Sequence, residues 1–258
     1  MKNEKNRGLF ISIDGMEGTG KTSTIKHIKN ILQKNNIDCL VTKEPGSPLD
    51  NVCVNLRSLV LDPVNDIDDE AEVYLYMADR CQHVNKIVRP AIKSGKIVIT
   101  DRYIDSTYAY QGFGRRKGKK ELLEYMKYLN DMTTNKLYPD LTILLIVDPK
   151  EGLKRISKRK GEFNTNLDRI EKEKIDFHYR LLEGFEDIYA KRDERNIIFI
   201  TGEMDVPNVG RVKTLSAIFL GREGMVQLSF SSLKSEYSEN LSEFNQIIDS
   251  FKYEKGYG

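Results

Sequence analysis

The fold turns on "FISIDGMEGTGKTSTIKHIKNILQKN", residues 10–35. The stretch opens as a short β-rich run, bends through three glycines and then changes period. Ile25, Ile28, Ile31 and Leu32 recur at the spacing of one helix face. A strand, a glycine-rich turn and a helix in direct succession predict the first unit of an open α/β sheet. Inside the turn, "GMEGTGKT" (15–22) has two glycines separated by four residues, then Lys21 and Thr22. Gly15, Gly18 and Gly20 let the backbone curl until its N–H groups face inward around phosphate oxygens. The helix starting near Lys21 adds the positive end of its dipole. Lys21 reaches the outer phosphates, the Thr22 hydroxyl is placed to hold Mg²⁺, and Thr19 and Ser23 belong to the same nucleotide-binding stretch. A turn that merely joins a strand to a helix needs neither the Lys nor the Thr. The loop is therefore predicted to bind a nucleoside triphosphate. Glu17 is less expected there, because a triphosphate repels a carboxylate. It points elsewhere, to a sugar hydroxyl, or it is a solvent-facing surface acid.

Outward from this unit, "IDCLVTK" (37–43), "KIVIT" (96–100) and "LTILLIV" (141–147) read as further strands. Helical patterns cover 49–62, 66–95, 119–133, 148–159 and 167–192, with Pro90 kinking or dividing the second and Gly95 capping it. Strands that are apolar throughout and alternate with helices predict a parallel sheet covered on both faces. Its final strand comes from "IIFIT" (197–201) or "MVQLSF" (225–230). The chain divides into a core, 1–203, and a C-terminal extension, 204–258. In the extension two short strands around "GREG" predict a hairpin, and 239–255 a terminal helix packing on the core.

Bulk properties exclude several classes. A formal net charge of +2 over 258 residues gives no argument for nucleic acid. No segment is long and apolar enough to span a membrane, and the N-terminus reads as a first strand, not a signal peptide. Cys39, Cys53 and Cys81 have no metal-ligand spacing and read as reduced thiols of a cytoplasmic protein.

A second charged site is predicted at "TDRYIDSTYAYQGFGR" (100–115). Asp101 ends a strand, where ligands gather in open α/β sheets. Its carboxylate can reach the Mg²⁺ shell or position an attacking oxygen, and Arg102 can clamp a second phosphate. Without the phosphate loop the pair would read as a capping acid and a surface cation. Tyr76 and Arg80 lie four apart on one helical face, suited to stack on and hydrogen-bond a flat base, although a tyrosine on an amphipathic helix is more often a core residue. The basic run Lys154, Arg155, Lys158, Arg159 and Lys160 is a solvated face or a closing arm (about 154–167) that meets charge developing in phosphoryl transfer. Arg155 and Arg159 share a face, and Gly161 permits a bend.

Taken in order over roughly 8–200, "FISIDGMEGTGKT", "TKEPGSPL" with "LRSLVLD", "YLYMADR", "TDRYIDSTYAYQGFGR" and "GLKR…LDRIE" resemble the thymidylate kinases. The resemblance implies a three-layer phosphate-loop nucleoside-monophosphate kinase fold with a five-stranded parallel sheet flanked by helices. It also implies ATP as donor, dTMP as acceptor and Mg²⁺ as cofactor. Glu17 would meet the 3′-hydroxyl, Tyr76 would stack on thymine and Arg80 would bond a thymine carbonyl. Arg57 and Arg102 would grip the 5′-phosphate, with Ser106, Tyr110 and Gln111 completing the pocket. Because the phosphate loop carries no arginine, the arrangement is similar to the bacterial type, in which the arm supplies Arg155 or Arg159. The family is dimeric, with the helix around 66–90 at the interface. "KEPGS" stands where "REPGGT" is usual, and Tyr76 where Phe is common. Alternatives from the same residues are a broader nucleoside-monophosphate or nucleoside kinase, and a nucleotide-binding regulator without turnover.

Overall fold

A computed structural model describes residues 7–163, 166–191, 195–206, 210–221 and 224–233. The opening stretch forms strand β1 (Phe10–Gly15) and helix α1 (Lys21–Lys34), joined by the glycine turn. Strands β2 (Cys39–Lys43), β3 (Ile97–Asp101), β4 (Leu141–Ile146) and β5 (Ile197–Val206) join β1 in parallel, in the order β2-β3-β1-β4-β5. This is the expected five-stranded parallel sheet. Its fifth strand is "IIFIT", which pairs with β4 from Thr142↔Ile197 to Ile146↔Thr201. Two antiparallel strands continue the sheet, β6 (Gly210–Gly221) and β7 (Gly224–Leu233). "MVQLSF" lies in β7, two places beyond the parallel set, and β5 itself runs past residue 203. The segment 239–255 lies outside the described residues.

Burial on both faces explains the unbroken apolar strands. Along β4, Leu144 and Ile146 pack on one side with Phe177, Leu181 and Phe185 of helix α8 (Ile175–Ala190). Ile143 and Leu145 pack on the other with Ile13, Ile99 and Ile25 of α1. Both faces are covered, so neither can be polar.

Helices α2 (Asn51–Leu61) and α3 (Asp69–His83) follow β2, and each is capped by an aspartate whose carboxylate accepts two backbone N–H bonds. The helical pattern at 66–95 is divided. After α3 comes a π-helical turn, Val84–Val88, and then α4 (Arg89–Lys93) with Pro90 in its first turn. Proline donates no backbone hydrogen bond and its ring crowds the turn before it, and the widened turn accommodates both. Beyond β3 run α5 (Ile104–Thr107), a second π-helical stretch (Tyr108–Arg115) and α6 (Lys120–Thr134).

Two expectations are corrected. The helix predicted over 167–192 starts only at Ile175. Asp168 Oδ1 accepts the N–H groups of Ile170 and Glu171, and Glu171 Oε2 accepts that of Asp168, closing a separate turn. Arg169 ties that turn to the end of α2, through its N–H to Leu61 O and its Nε to Val60 O. Helix α7 (Pro149–Phe163) runs straight through Gly161, so the basic run is helical and the chain does not bend there.

Candidate active site

A cleft of about 590 Å³ opens at the carboxyl ends of β1, β2 and β3. The glycine turn forms one wall. Gly15 and Gly18 have φ of 138° and 75°. A Cβ at Gly15 would stand 2.1 Å from Leu145 O, and one at Gly18 2.3 Å from Gly152 O in α7. Only glycine fits where the loop is wedged between β4 and α7. Lys21 folds back over the loop, its Nζ donating to Gly15 O (2.9 Å) and Met16 O (2.7 Å). Burial pushes its pKa down to about 8. Arg102 acts in the same direction, and Asp101, Glu17 and Asp14 partly offset it. The Thr19 hydroxyl donates to Met16 O. Thr22 and Ser23 stand exposed on the first turn of α1, which carries no acidic residue, so the positive helix end is free for an anion. Gly15 and Thr19 shape the loop without lining the cleft; Gly18, Gly20, Lys21, Thr22 and Ser23 line it.

The register of β1 against β3 sets Ile13 beside Asp101 and brings the second site to the loop. Arg102, with φ of 74°, donates from Nη1 to Gly15 O and from Nη2 to Glu17 Oε1 (2.6 Å). Its guanidinium lies 4.7 Å over the Tyr110 ring, and Tyr110 OH donates to the same Glu17 oxygen (2.7 Å). Burial acts to raise the Glu17 pKa, but Arg102, Lys21 and the Tyr110 bond outweigh it and leave the carboxyl below its usual range. Glu17 is thus not a surface acid; it is held by Arg102 and Tyr110, and its Oε2 is buried without a partner. Ser106 Oγ donates to Asp14 Oδ1 (2.7 Å). Burial, with Asp105 nearby, raises Asp14 to about 6.

Asp101 has a buried carboxylate oxygen without a hydrogen-bond partner, and it shares the cleft with Thr22. Among the described residues no cluster of three or more His, Cys, Asp or Glu could hold a metal. The hard oxygen donors of Asp101 and Thr22 fit Mg²⁺, which keeps waters and takes phosphate oxygens instead of a full protein cage.

Two helical faces zip together as a second wall of the cleft. Glu72, Tyr76 and Arg80 lie four apart on α3; Thr107, Gln111 and Arg115 follow the same spacing opposite. Arg80 meets Thr107 at one end, and Glu72 meets Gln111 and Arg115 at the other. Arg80 is buried and tied by Nε to Glu44 Oε2 (2.7 Å) and by Nη2 to Tyr103 O (2.9 Å). Burial, then Glu72, raise the Tyr76 hydroxyl pKa. Arg57 Nη1 donates to Pro45 O, and its stem packs where a Gly46 Cβ would stand.

The arm closes the opposite side. Arg155 donates from Nη1 to Gly18 O (3.3 Å) and from Nε to Glu151 (2.9 Å). Arg159 lies 3.8 Å from Glu171, which also pairs with Lys160. Both arginines line the cleft. So do Lys43, Asp79, Thr107, Asp168 and Glu171; the sequence marked Lys43, the lysine of "KEPGS" where arginine is usual, but singled out none of the other four. Lys43 ends β2 as Asp101 ends β3. Burial and neighbouring Arg57 lower its pKa.

A family model described as thymidylate kinase matches residues 13–209. The chain is 41% identical over 193 residues to the thymidylate kinase of Maridesulfovibrio salexigens, covering 74% of this chain and 86% of that relative. With the Lactobacillus helveticus thymidylate kinase it shares 43% over 192 residues, 72% of this chain and 86% of the other. The crystal structure of thymidylate kinase from Ehrlichia chaffeensis superposes with a TM-score of 0.57 at 29% identity, covering 76% of this chain and 91% of that one.

Proposed function

The chain belongs to the thymidylate kinase family, and on that premise we propose that it transfers the γ-phosphoryl group of ATP to dTMP, giving dTDP and ADP. The observation that carries the reading is the apposition of two anion sites. The phosphate loop with Lys21 lies on one side, and Arg102, over Tyr110, on the other, joined through Gly15 O. A phosphate oxygen of dTMP attacks the γ-phosphorus, and the bond to the bridging oxygen breaks with its electron pair leaving on ADP. Lys21 holds the donor phosphates, Arg102 with Arg57 aims the acceptor phosphate, and Arg155 and Arg159 meet the charge on the transferring group. Tyr76, Arg80 and Gln111 hold the base, Ser106 steadies Asp14 beside Arg102, and Glu17 turns to the sugar hydroxyl once phosphate takes its place on Arg102. When bound, Mg²⁺ at Thr22 and Asp101 would neutralise phosphate charge. A cytoplasmic homodimer joined through the α3 region completes the reading. The exposed apolar side chains Val52 and Leu59 on α2 and Tyr74 on α3 support an interface there.

The test is ADP release from ATP and Mg²⁺ with dTMP, dUMP, dCMP, dGMP, dAMP and thymidine in separate reactions. Fast release with dTMP, weaker with dUMP and little with the rest is expected. Similar rates with several monophosphates would leave a kinase of broader specificity. No release with any acceptor, despite ATP binding, would leave a nucleotide-binding regulator.

A further inference from the structure

At the end of the zipped helical faces, outside the cleft, lies Glu72, a carboxylate with no exposed surface. Its Oε1 accepts Gln111 Nε2 (2.8 Å) and Arg115 Nε (3.3 Å), and its Oε2 accepts Arg115 Nη2 and Arg169 Nη2. We propose that Glu72 fixes the direction in which Gln111 reads the base, making it a specificity-determining positioning residue; the inference rests on the kinase reading above.

The argument is one of donors and acceptors. Burial works to raise the Glu72 pKa, but Arg115, the Gln111 bond and Arg169 overcome it and hold the group below the usual carboxylate range. An ionised carboxylate has no proton to donate, so the Gln111 atom facing it must be the NH₂. Gln111 Oε1 is then turned the other way. It accepts no hydrogen bond from any described residue, yet it is not among the buried atoms left unpaired, so it opens on the cleft that Gln111 lines. Arg80 is constrained in the same way. Its five N–H groups serve Glu44, Thr107, Asn130 and Tyr103 O, leaving one on Nη2. Gln111 and Arg80 therefore offer the base one acceptor and one donor. Its match is an N–H beside a C=O, the imide edge of thymine or uracil. Cytosine would set a lone pair against Gln111 Oε1 and an amine against the Arg80 N–H, leaving buried polar groups unpaired. With Glu72 able to donate, Gln111 could turn over and half of that discrimination would vanish.

The experiment measures kcat/KM for dTMP and dCMP, and KM for ATP, in wild type, Glu72→Gln and Glu72→Asp. Glutamine at 72 can donate to Gln111 Oε1, so the dTMP/dCMP ratio should fall about 10-fold or more, mainly through KM for dTMP. KM for ATP should not change. Glu72→Asp, still anionic and donor-free, should keep most of the ratio; a general loosening of the fold would not separate the two variants in this way. A wild-type ratio in a folded Glu72→Gln enzyme would overturn the proposal. Should Glu72→Gln fail to fold, the side-chain amide protons of Gln111 in ¹⁵N-labelled wild type decide it. They should be protected from exchange without nucleotide and little shifted by dTMP, whereas protection that appears only with dTMP would overturn the proposal. That measurement needs no turnover, so it separates this inference from the kinase reading, which fails if wild type does not use dTMP.

Discussion

Lys21 folds back onto two carbonyls of its own loop, in a site that lowers its pKa to about 8 from 10.5. Only the protonated form can receive the triphosphate. The kcat/KM for ATP should therefore fall as pH rises through about 8, while kcat, with phosphate bound beside the ammonium, should hold to higher pH. Lys21→Met should lower kcat by about 10²–10³-fold or more. The same substitution should raise Tm at pH 7. The unfolded chain keeps the lysine proton to about 10.5 and the folded chain releases it near 8, so below pH 8 the buried charge opposes folding. The gain should shrink between pH 8 and 10.5; a Tm difference that grows with pH would contradict the burial. Lys21, Thr22, Asp101 and Arg102 were legible because their meaning lies in spacing along the chain. The partners of Glu17 were not, since Arg102 and Tyr110 reach it only through the register of β1 on β3.

Helix α7 rests on the phosphate loop where Gly152 meets Gly18, and a Cβ at Gly152 would stand 2.8 Å from Glu17 O. Gly152→Ala should lift the arm, lowering kcat by about 10-fold with little change in KM for dTMP, on the scale expected for catalytic groups moved by a fraction of an ångström. Arg155 reaches the loop at Gly18 O, whereas Arg159 leans on Glu171. Arg155→Ala is therefore expected to cost more in kcat than Arg159→Ala, by about 10²-fold or more against wild type; equal losses would assign the two equal parts. Periodicity located nearly every helix, because amphipathic spacing is local. It missed the separate turn at 168–171, where side-chain oxygens, and not apolar spacing, end one segment before α8 begins. An aspartate followed three residues later by a glutamate is a start signal, and the sequence placed it at the start of one continuous helix, whereas it closes a turn of its own before α8.

Across the whole molecule the cleft lies at β1, β2 and β3, and β6 and β7 continue the far edge beyond β5. A chain ending at Val206 should keep KM for both substrates within about 3-fold, since none of the described residues beyond Val206 lines the cleft, while Tm falls and the uncovered β5 edge promotes association. Loss of dTMP turnover in folded, truncated protein would tie the outer strands to the site. That the sheet is parallel was legible from apolar strands alternating with helices; its strand order was not, nor was the final parallel strand, because β5 and β7 carry similar short apolar runs. The same layout sets an order of events during synthesis. Among the described residues the last to line the cleft is Glu171, and the strand that completes its support ends at Val206, ahead of β6 and β7 in the chain. Once Val206 has emerged from the ribosome all of these parts are available to fold, with or without the outer strands, and ligand that binds only the folded form would stabilise it from that moment. The nucleotide can then act as a folding aid for the enzyme before it is ever turned over.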